Sequence, residues 1–137
     1  MSLSELETLR SLRRHRADRA ERALREAKRH ERTLQAHIEQ AQEALEQTRQ
    51  QEARQSAQLL NDHQGHVVSV HMLKSWTAKE HTLSADTRRE EGRLQALHGQ
   101  KDAHVVEIEN AQKQASQCLR QVEKLQELST LLAQEVT

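Results

Sequence analysis

The sequence predicts an all-α protein, a long antiparallel two-helix coiled-coil hairpin, and three observations support this prediction. The 137-residue chain has no Pro, Phe or Tyr and a single Trp, so large side chains for a globular core are scarce. Apolar residues recur every three to four positions along two long stretches. A short segment of turn-forming residues separates those stretches. We expect one hairpin over 1–137, with a first helix at about 3–60, a turn at about 61–69 and a second helix at about 70–136.

The first helix is predicted from an apolar stripe in which steps of three and four residues alternate. Eight of its ten positions are apolar, and this 3.5-residue period is typical of a coiled-coil seam and not of a disordered chain. Ser4 and Glu7 match a capping box at the start of the helix. The stripe consists of Ala17, Ala20, Leu24, Ala27, Glu31, Leu34, Ile38, Ala41, Leu45 and Thr48.

The predicted turn lies between Asn61 and Val68 and contains Gly65. Ser69 is the expected cap of the second helix. His63, His66 and His71 cluster here, and two histidines three residues apart can bind a transition metal. The plainer interpretation is three solvated histidines in a polar loop, so we expect no metal site.

The second helix carries its own seam from Leu73 to Val136, in which thirteen of nineteen positions are apolar. If the chain folds back at Gly65, facing seam residues should have numbers that sum to 131 or 132. This register places Glu31 against Lys101, Gln55 against Trp76, with Arg54 close to the indole, and Glu52 against Glu80. The seam consists of Leu73, Trp76, Glu80, Leu83, Thr87, Glu90, Leu94, Leu97, Lys101, His104, Ile108, Ala111, Ala115, Cys118, Val122, Leu125, Ser129, Leu132 and Val136.

Charge is balanced overall but not locally. The chain has 21 Lys and Arg against 21 Asp and Glu, so the total does not favour nucleic acid or an acidic membrane surface. Residues 10–32 hold ten basic and four acidic residues, whereas residues 102–137 hold three basic and six acidic ones. We expect the two ends of the chain to attract each other. The basic stretch lacks aromatic partners and alternates with Asp and Glu, so a solvated face with internal ion pairs is favoured over a nucleic-acid site.

The residues suggest no enzymatic chemistry. There is no glycine-rich phosphate loop, and a two-helix hairpin has no concave pocket, so we expect no catalytic residue and no cofactor. Cys118 lies at a seam position and is interpreted as a small core residue that cannot form an internal disulfide. We expect no signal peptide and no bilayer-spanning segment, and therefore a cytoplasmic protein without direct membrane insertion.

Two segments carry a resemblance to a known family. LRSLRRHRADRAERALREAKR at 9–29 and VVSVHMLKSW at 67–76, joined by an arm rich in Ala, Gln, Glu and Leu, resemble the YscO/FliJ family of type III secretion and flagellar export, and its YscO-like branch in particular. The resemblance implies a central stalk. Members of the family insert the end carrying both termini into a hexameric secretion ATPase, and engage the export gate and some secretion chaperones at the inner-membrane base of the apparatus.

Carried onto this sequence, the resemblance implies two sets of contact residues. The ATPase-facing candidates are Arg10, Arg13, Arg14, Arg16, Arg19, Leu131, Leu132 and Val136. The gate-facing candidates are Val70, Leu73 and Trp76. By the predicted register, the apolar residues after residue 130 have nothing in their own chain to cover them. Trp76 has two interpretations, closure of the turn or contact with a partner. The alternative function is a general coiled-coil scaffold or chaperone-binding adaptor unrelated to an ATPase.

Overall fold

Two long helices make up the fold. The computed structural model describes residues 2–65 and 67–136, with residue 136 described by its backbone only. Helix α1 spans Leu3–His63 and helix α2 spans Val70–Val136. No strand occurs within those described ranges. The prediction of an all-α helical hairpin is therefore confirmed.

The start of α1 is set by a capping box two residues earlier in the chain than the predicted one. The Glu5 amide donates to the Ser2 hydroxyl oxygen at 3.2 Å, and the Ser2 amide donates to the Glu5 carboxylate at 3.4 Å. Ser4 is already helical, and its carbonyl accepts the Thr8 hydroxyl at 2.9 Å. The predicted Ser4–Glu7 box is therefore wrong, because Ser2 offers the same chemistry just outside the first helical residue.

The two helices are joined by a short segment between His63 and Val70 that contains Gly65 and Ser69. Gly65 has a φ of +79°, in the left-handed region that a residue with a Cβ adopts only at a cost. Ser69 caps α2 as predicted, since its hydroxyl oxygen accepts the Met72 amide at 3.2 Å. The chain thus leaves α1 through a glycine and enters α2 through a serine cap.

The hairpin divides into two compact units, each containing part of both helices. The terminal unit comprises Met1–Thr33 and Asp102–Thr137, and the turn unit comprises Leu34–Lys101. In the terminal unit, an Arg13 Nη1 donates to the Gln121 carbonyl at 2.9 Å. In the turn unit, the Arg49 guanidinium contacts the Glu91 carboxylate at 3.2 Å. A second contact in each unit gives the direction, since Ala27 contacts His104 in the terminal unit and Gln35 contacts Lys101 in the turn unit. The α2 residue number falls as the α1 residue number rises, so the helices are antiparallel within each unit.

The buried side chains follow the predicted seams. All ten positions of the α1 stripe from Ala17 to Thr48 are buried or half-buried. The α2 seam is likewise buried or half-buried at every position from Leu83 to Ser129. Ile38 is the most deeply enclosed of these side chains. The 3.5-residue period therefore identifies the packed faces of both helices.

The register differs from the predicted one by three to four residues. Ala17, Ala20 and Cys118 share one buried cluster, with Ala115 packed against it. The numbers of Ala17 and Cys118 sum to 135, as do those of Ala20 and Ala115. The predicted sums of 131 and 132 pair like heptad positions, whereas in an antiparallel pair position a of one helix faces position d of the other. Ala17 and Ala115, whose numbers sum to the predicted 132, lie in the same cluster, so the contacts between the helices have to decide. The pairs Arg13 with Gln121, Gln35 with Lys101 and Glu52 with Thr87 sum to 134, 136 and 139, and these contacts contradict the predicted register.

The corrected register also removes a predicted clash in the turn unit. Glu52 was expected to face Glu80, but its carboxylate accepts a hydrogen bond from the Thr87 hydroxyl, seven residues further along α2. Lys101, expected to meet Glu31, instead donates to the Gln35 side-chain oxygen at 2.9 Å. These polar contacts satisfy side chains that interrupt the apolar seams.

Candidate protein-binding surfaces

Exposed leucines lie in the terminal unit, where α1 begins and α2 ends. Leu131 is 59% exposed, and Leu132 is exposed to a smaller extent. Sequence reasoning missed three further residues, because Leu12 and Leu128 lie off the seams and Leu3 precedes them. Leu12 is 47% and Leu128 48% exposed. The name terminal leucine patch is used here for the exposed leucines near the two helix ends of this unit, which are Leu3, Leu12, Leu128, Leu131 and Leu132.

Arginines of α1 lie in the same unit as these leucines. Arg10, Arg14, Arg16 and Arg19 are exposed. Arg13 differs from them, because it is half-buried and its guanidinium holds the Gln121 carbonyl at 2.9 Å. Arg13 therefore ties α1 to α2, whereas its four neighbours present their charge to solvent.

The basic stretch is not neutralised by its own chain. Within the ranges that the structure describes, no basic side chain from Arg10 to Arg32 lies within 4.0 Å of a carboxylate. Arg22, for example, donates to the Asp18 carbonyl at 3.4 Å and leaves the Asp18 carboxylate unused. Among the described residues, neither the internal ion pairs expected from the sequence nor a direct ion pair between the basic and acidic ends is found. The positive charge remains available to a partner.

An acidic surface lies on α2 in the same unit. Glu123 and Glu127 line a shallow groove together with Leu131. Both carboxylates are exposed, and neither has a basic side chain within 4.0 Å in the described part of the chain. The terminal unit therefore presents a basic surface on α1 and an acidic one on α2.

A second exposed apolar surface begins α2 beside the turn. Val70 is 72% exposed and Leu73 is 55% exposed, and both line a groove along α2 with Thr77 and Ala78. Val67 and Met72 are also exposed here and were not predicted as contact residues. The turn surface is defined as Val67, Val70, Met72 and Leu73.

Trp76 is held by its own chain. The indole Nε1 donates to the Glu80 carboxylate at 2.8 Å, and the ring centroid lies 5.0 Å from that of His63. The ring contact is with His63, the last residue of α1, and no contact of the indole with the Arg54 guanidinium is found among the described residues. The side chain remains half-buried, so it closes the turn while one part of it still reaches the surface.

No arrangement of side chains for metal binding is found in the described ranges. They contain no group of three or more His, Cys, Asp and Glu residues that could hold a metal ion. His63 is engaged with Trp76 and with the Leu59 carbonyl at 2.8 Å, and His66 lies outside the described residues. Cys118 is a buried free thiol within the alanine cluster. The terminal leucine patch and the turn surface are therefore the candidate sites for function.

Comparison with protein families decides the assignment. The family model described as Type III secretion protein YscO matches residues 6–137. The chain belongs to the YscO family. Neither the curated proteins nor the solved structures give a significant match. The match includes both segments on which the resemblance was based, so the YscO assignment is confirmed and the protein is a type III secretion protein.

The YscO match extends over both candidate surfaces. The terminal leucine patch lies within it except for Leu3, and the turn surface lies within it completely. The side chain of Val136, another predicted contact, lies outside the described residues. Neither helix of this YscO-family chain, in the parts described, has a stretch long and apolar enough to cross a membrane.

Proposed function

We propose that this chain is a non-enzymatic central-stalk component of a type III secretion export apparatus. The terminal unit binds the hexameric secretion ATPase, and the turn surface contacts the cytoplasmic domain of the export gate or a secretion chaperone. The protein works in the cytoplasm, at the inner-membrane base of the apparatus. The observation that carries the proposal is that one unit contains both the terminal leucine patch and exposed arginines that no carboxylate of the described chain neutralises.

The leucine patch supplies the driving force for binding. Covering an exposed Leu side chain contributes roughly 1.5–3 kcal/mol when the burial is complete. The patch therefore favours a partner that offers an apolar surface to Leu131 and Leu132.

The arginines supply orientation. A guanidinium forms two parallel hydrogen bonds to one carboxylate, so exposed arginines favour a partner surface rimmed by Asp and Glu. The four exposed guanidiniums of Arg10, Arg14, Arg16 and Arg19 meet this requirement. Arg13 has a different role, because its bond to the Gln121 carbonyl stabilises the hairpin itself.

The terminal surface is tested by ATP turnover of the cognate hexameric ATPase. Added wild-type protein should raise turnover, and a variant with Arg16→Ala, Arg19→Ala and Leu131→Ala should need a concentration about tenfold higher for the same effect. The matched control replaces Arg88, Arg93 and Leu60, which are exposed residues of the turn unit, by Ala. Equal stimulation by both variants, or none by saturating wild-type protein, would remove the ATPase from the proposal and favour a general scaffold.

The turn surface needs a separate measurement. Val70→Ala with Leu73→Ala should weaken binding of the export-gate cytoplasmic domain by about tenfold, because both side chains are exposed and neither holds the hairpin together. Leu60→Ala with Val105→Ala removes a similar apolar area elsewhere. Unchanged gate affinity in the Val70 and Leu73 variant would exclude this surface, whatever the result with the ATPase.

A further inference from the structure

We propose that the terminal unit also docks a second copy of this chain, with the start of α1 in each copy lying against the end of α2 in the other. This self-association goes beyond the ATPase proposal and does not depend on it. The charges and exposed leucines of the terminal unit favour a second copy of the chain as its partner.

The α1 half of the interface is apolar and basic. Leu12 is 47% exposed, and Arg16 and Arg19 follow it by four and seven residues, so the three side chains share one helix face. Neither arginine has a carboxylate within 4.0 Å among the residues described. This face has the chemistry to bind an apolar surface flanked by acidic side chains.

The α2 half of the interface has that complementary chemistry. Leu131 and Leu128 are three residues apart and exposed, and Glu127 and Glu123 precede Leu131 by four and eight residues. Leu131, Glu127 and Glu123 line the same groove. The α2 half is therefore apolar and acidic where the α1 half is apolar and basic.

The two halves of the terminal unit are complementary to each other, which is the property that a contact between two copies of one chain requires. Residues 10–32 carry a local charge of +6 and residues 102–137 a local charge of −3, yet no ion pair joins these stretches within the described chain. A twofold dimer forms the basic-to-acidic contact twice, and each contact covers leucines on both sides. A single twofold axis therefore brings the basic and the acidic surface of each copy into contact at once. A ligand complementary to only one of these surfaces would leave the other exposed.

The first test is the molecular mass of the full chain in solution. Sedimentation velocity should show a reversible monomer–dimer equilibrium with a dissociation constant of about 10–100 µM at low salt. Raising the ionic strength to about 0.5 M should weaken the dimer several-fold, because the paired charges lie at an exposed rim. A monomer at all concentrations up to about 1 mM would overturn the proposal.

Charge exchange identifies the surfaces. Variant one carries Arg16→Glu and Arg19→Glu, and variant two carries Glu123→Arg and Glu127→Arg. Each alone places like charges together in both contacts, so its dimer should weaken at least about tenfold. An equimolar mixture should form a heterodimer at wild-type affinity, since each reversed face then meets an opposite charge. The matched control reverses Arg88 and Arg93 to Glu, in the turn unit, and should dimerise as the wild type does.

Each result of the exchange supports or overturns the proposal. Wild-type dimer affinity in the mixture supports the proposal. It also shows that both variants fold, because misfolded variants could not form this dimer. Wild-type dimerisation by either variant alone, or no heterodimer in a mixture of variants that retain wild-type helicity, would overturn it. The ATPase is absent from these measurements. A monomeric wild type that still stimulates the ATPase therefore refutes only the dimer, and a dimer without stimulation refutes only the ATPase proposal.

Discussion

Thr87, Glu90 and His104 are polar side chains at seam positions where a coiled coil normally carries aliphatic residues. Two of them are satisfied. The Thr87 hydroxyl donates to the Glu52 carboxylate, and His104 Nε2 lies 2.7 Å from the Ala27 carbonyl oxygen across the helix interface. Glu90 is different, because its Oε2 is buried without a hydrogen-bond partner among the residues described. Individual residues therefore differ in whether their polarity stabilises the hairpin.

Replacing Glu90 by Leu should stabilise the protein. The change removes a buried carboxylate oxygen without a partner and adds apolar surface to the seam, so the free energy of unfolding should rise by about 1–2 kcal/mol. Urea unfolding followed by circular dichroism measures this. Glu91→Ala is the neighbouring control, because that exposed residue only forms a surface ion pair with Arg49, and it should change stability by less than about 0.5 kcal/mol. A destabilised Glu90→Leu variant would show that the carboxylate reaches solvent.

Replacing His104 should destabilise the protein, in contrast to the replacement of Glu90. Its second nitrogen, Nδ1, lies 3.1 Å from the Glu107 carboxylate, so the ring fills the seam and joins both helices. His104→Ala removes volume and leaves the Ala27 carbonyl without this contact, and should lower the free energy of unfolding by about 1–3 kcal/mol. His104→Leu should restore most of the loss, since the position then carries a normal seam residue. His98→Ala, at an exposed position, is the control, and equal losses for Ala and Leu at 104 would mean that the polar contacts matter more than the packing.

At the scale of the helices, the spacing of apolar residues predicted the packed face of α1 correctly, whereas the local capping signal did not predict where α1 starts. The stripe from Ala17 to Thr48 identifies the packed face of α1, because about nine consecutive turns of helix must keep one side toward the partner and no single residue can change that side. The start of α1 depends on two side chains only, and the segment offers Ser2 with Glu5 as well as Ser4 with Glu7. The sequence contains both options, and nothing in a pattern of spacing chooses between them.

Replacing Gly65 and Gly99 by Ala should change the free energy of unfolding in opposite directions. Gly65→Ala places a Cβ at a φ of +79° and should lower the free energy of unfolding by about 1–2 kcal/mol. Gly99→Ala lies within α2, where a Cβ would meet no described atom within 4 Å, and should raise it by about 0.5–1 kcal/mol through improved helix propensity. Thermal unfolding of both variants measures the signs. The double variant should give the sum of the two effects, because the sites are distant in sequence and share no contact.

At the scale of the whole molecule, the sequence predicted an antiparallel hairpin but not its register. Both registers bury the same seams, because a shift of three or four residues exchanges position a for position d and leaves the pattern of apolar residues intact. The exposed surfaces were predicted in part for a related reason. Leu131 and Leu132 were predicted as exposed because the predicted register leaves the residues after 130 without a partner. Leu12 and Leu128 lie off the seam, and only the packed structure shows that they are 47% and 48% exposed.

Disulfide trapping tests topology and register together. Cys118 is the only cysteine, so Ala17→Cys creates one possible pair, and both positions are buried in the same cluster. Mild oxidation should close a disulfide within one chain, visible as faster migration on a non-reducing gel, and should raise the unfolding midpoint because the bond constrains the unfolded chain.

Two control variants separate the alternatives. Arg14→Cys would pair with Cys118 in the register whose numbers sum to 132, so it should stay reduced under the same conditions. Arg16→Cys lies next to Ala17 in sequence but is exposed, and should also stay reduced. Faster oxidation of the Arg14 variant would restore the register predicted from the sequence. A disulfide that links two chains through positions 17 and 118 would mean that the seams close between molecules. The leucines at the helix ends would then lie against a different helix, and the exposed surface proposed for partner binding would not exist in this form.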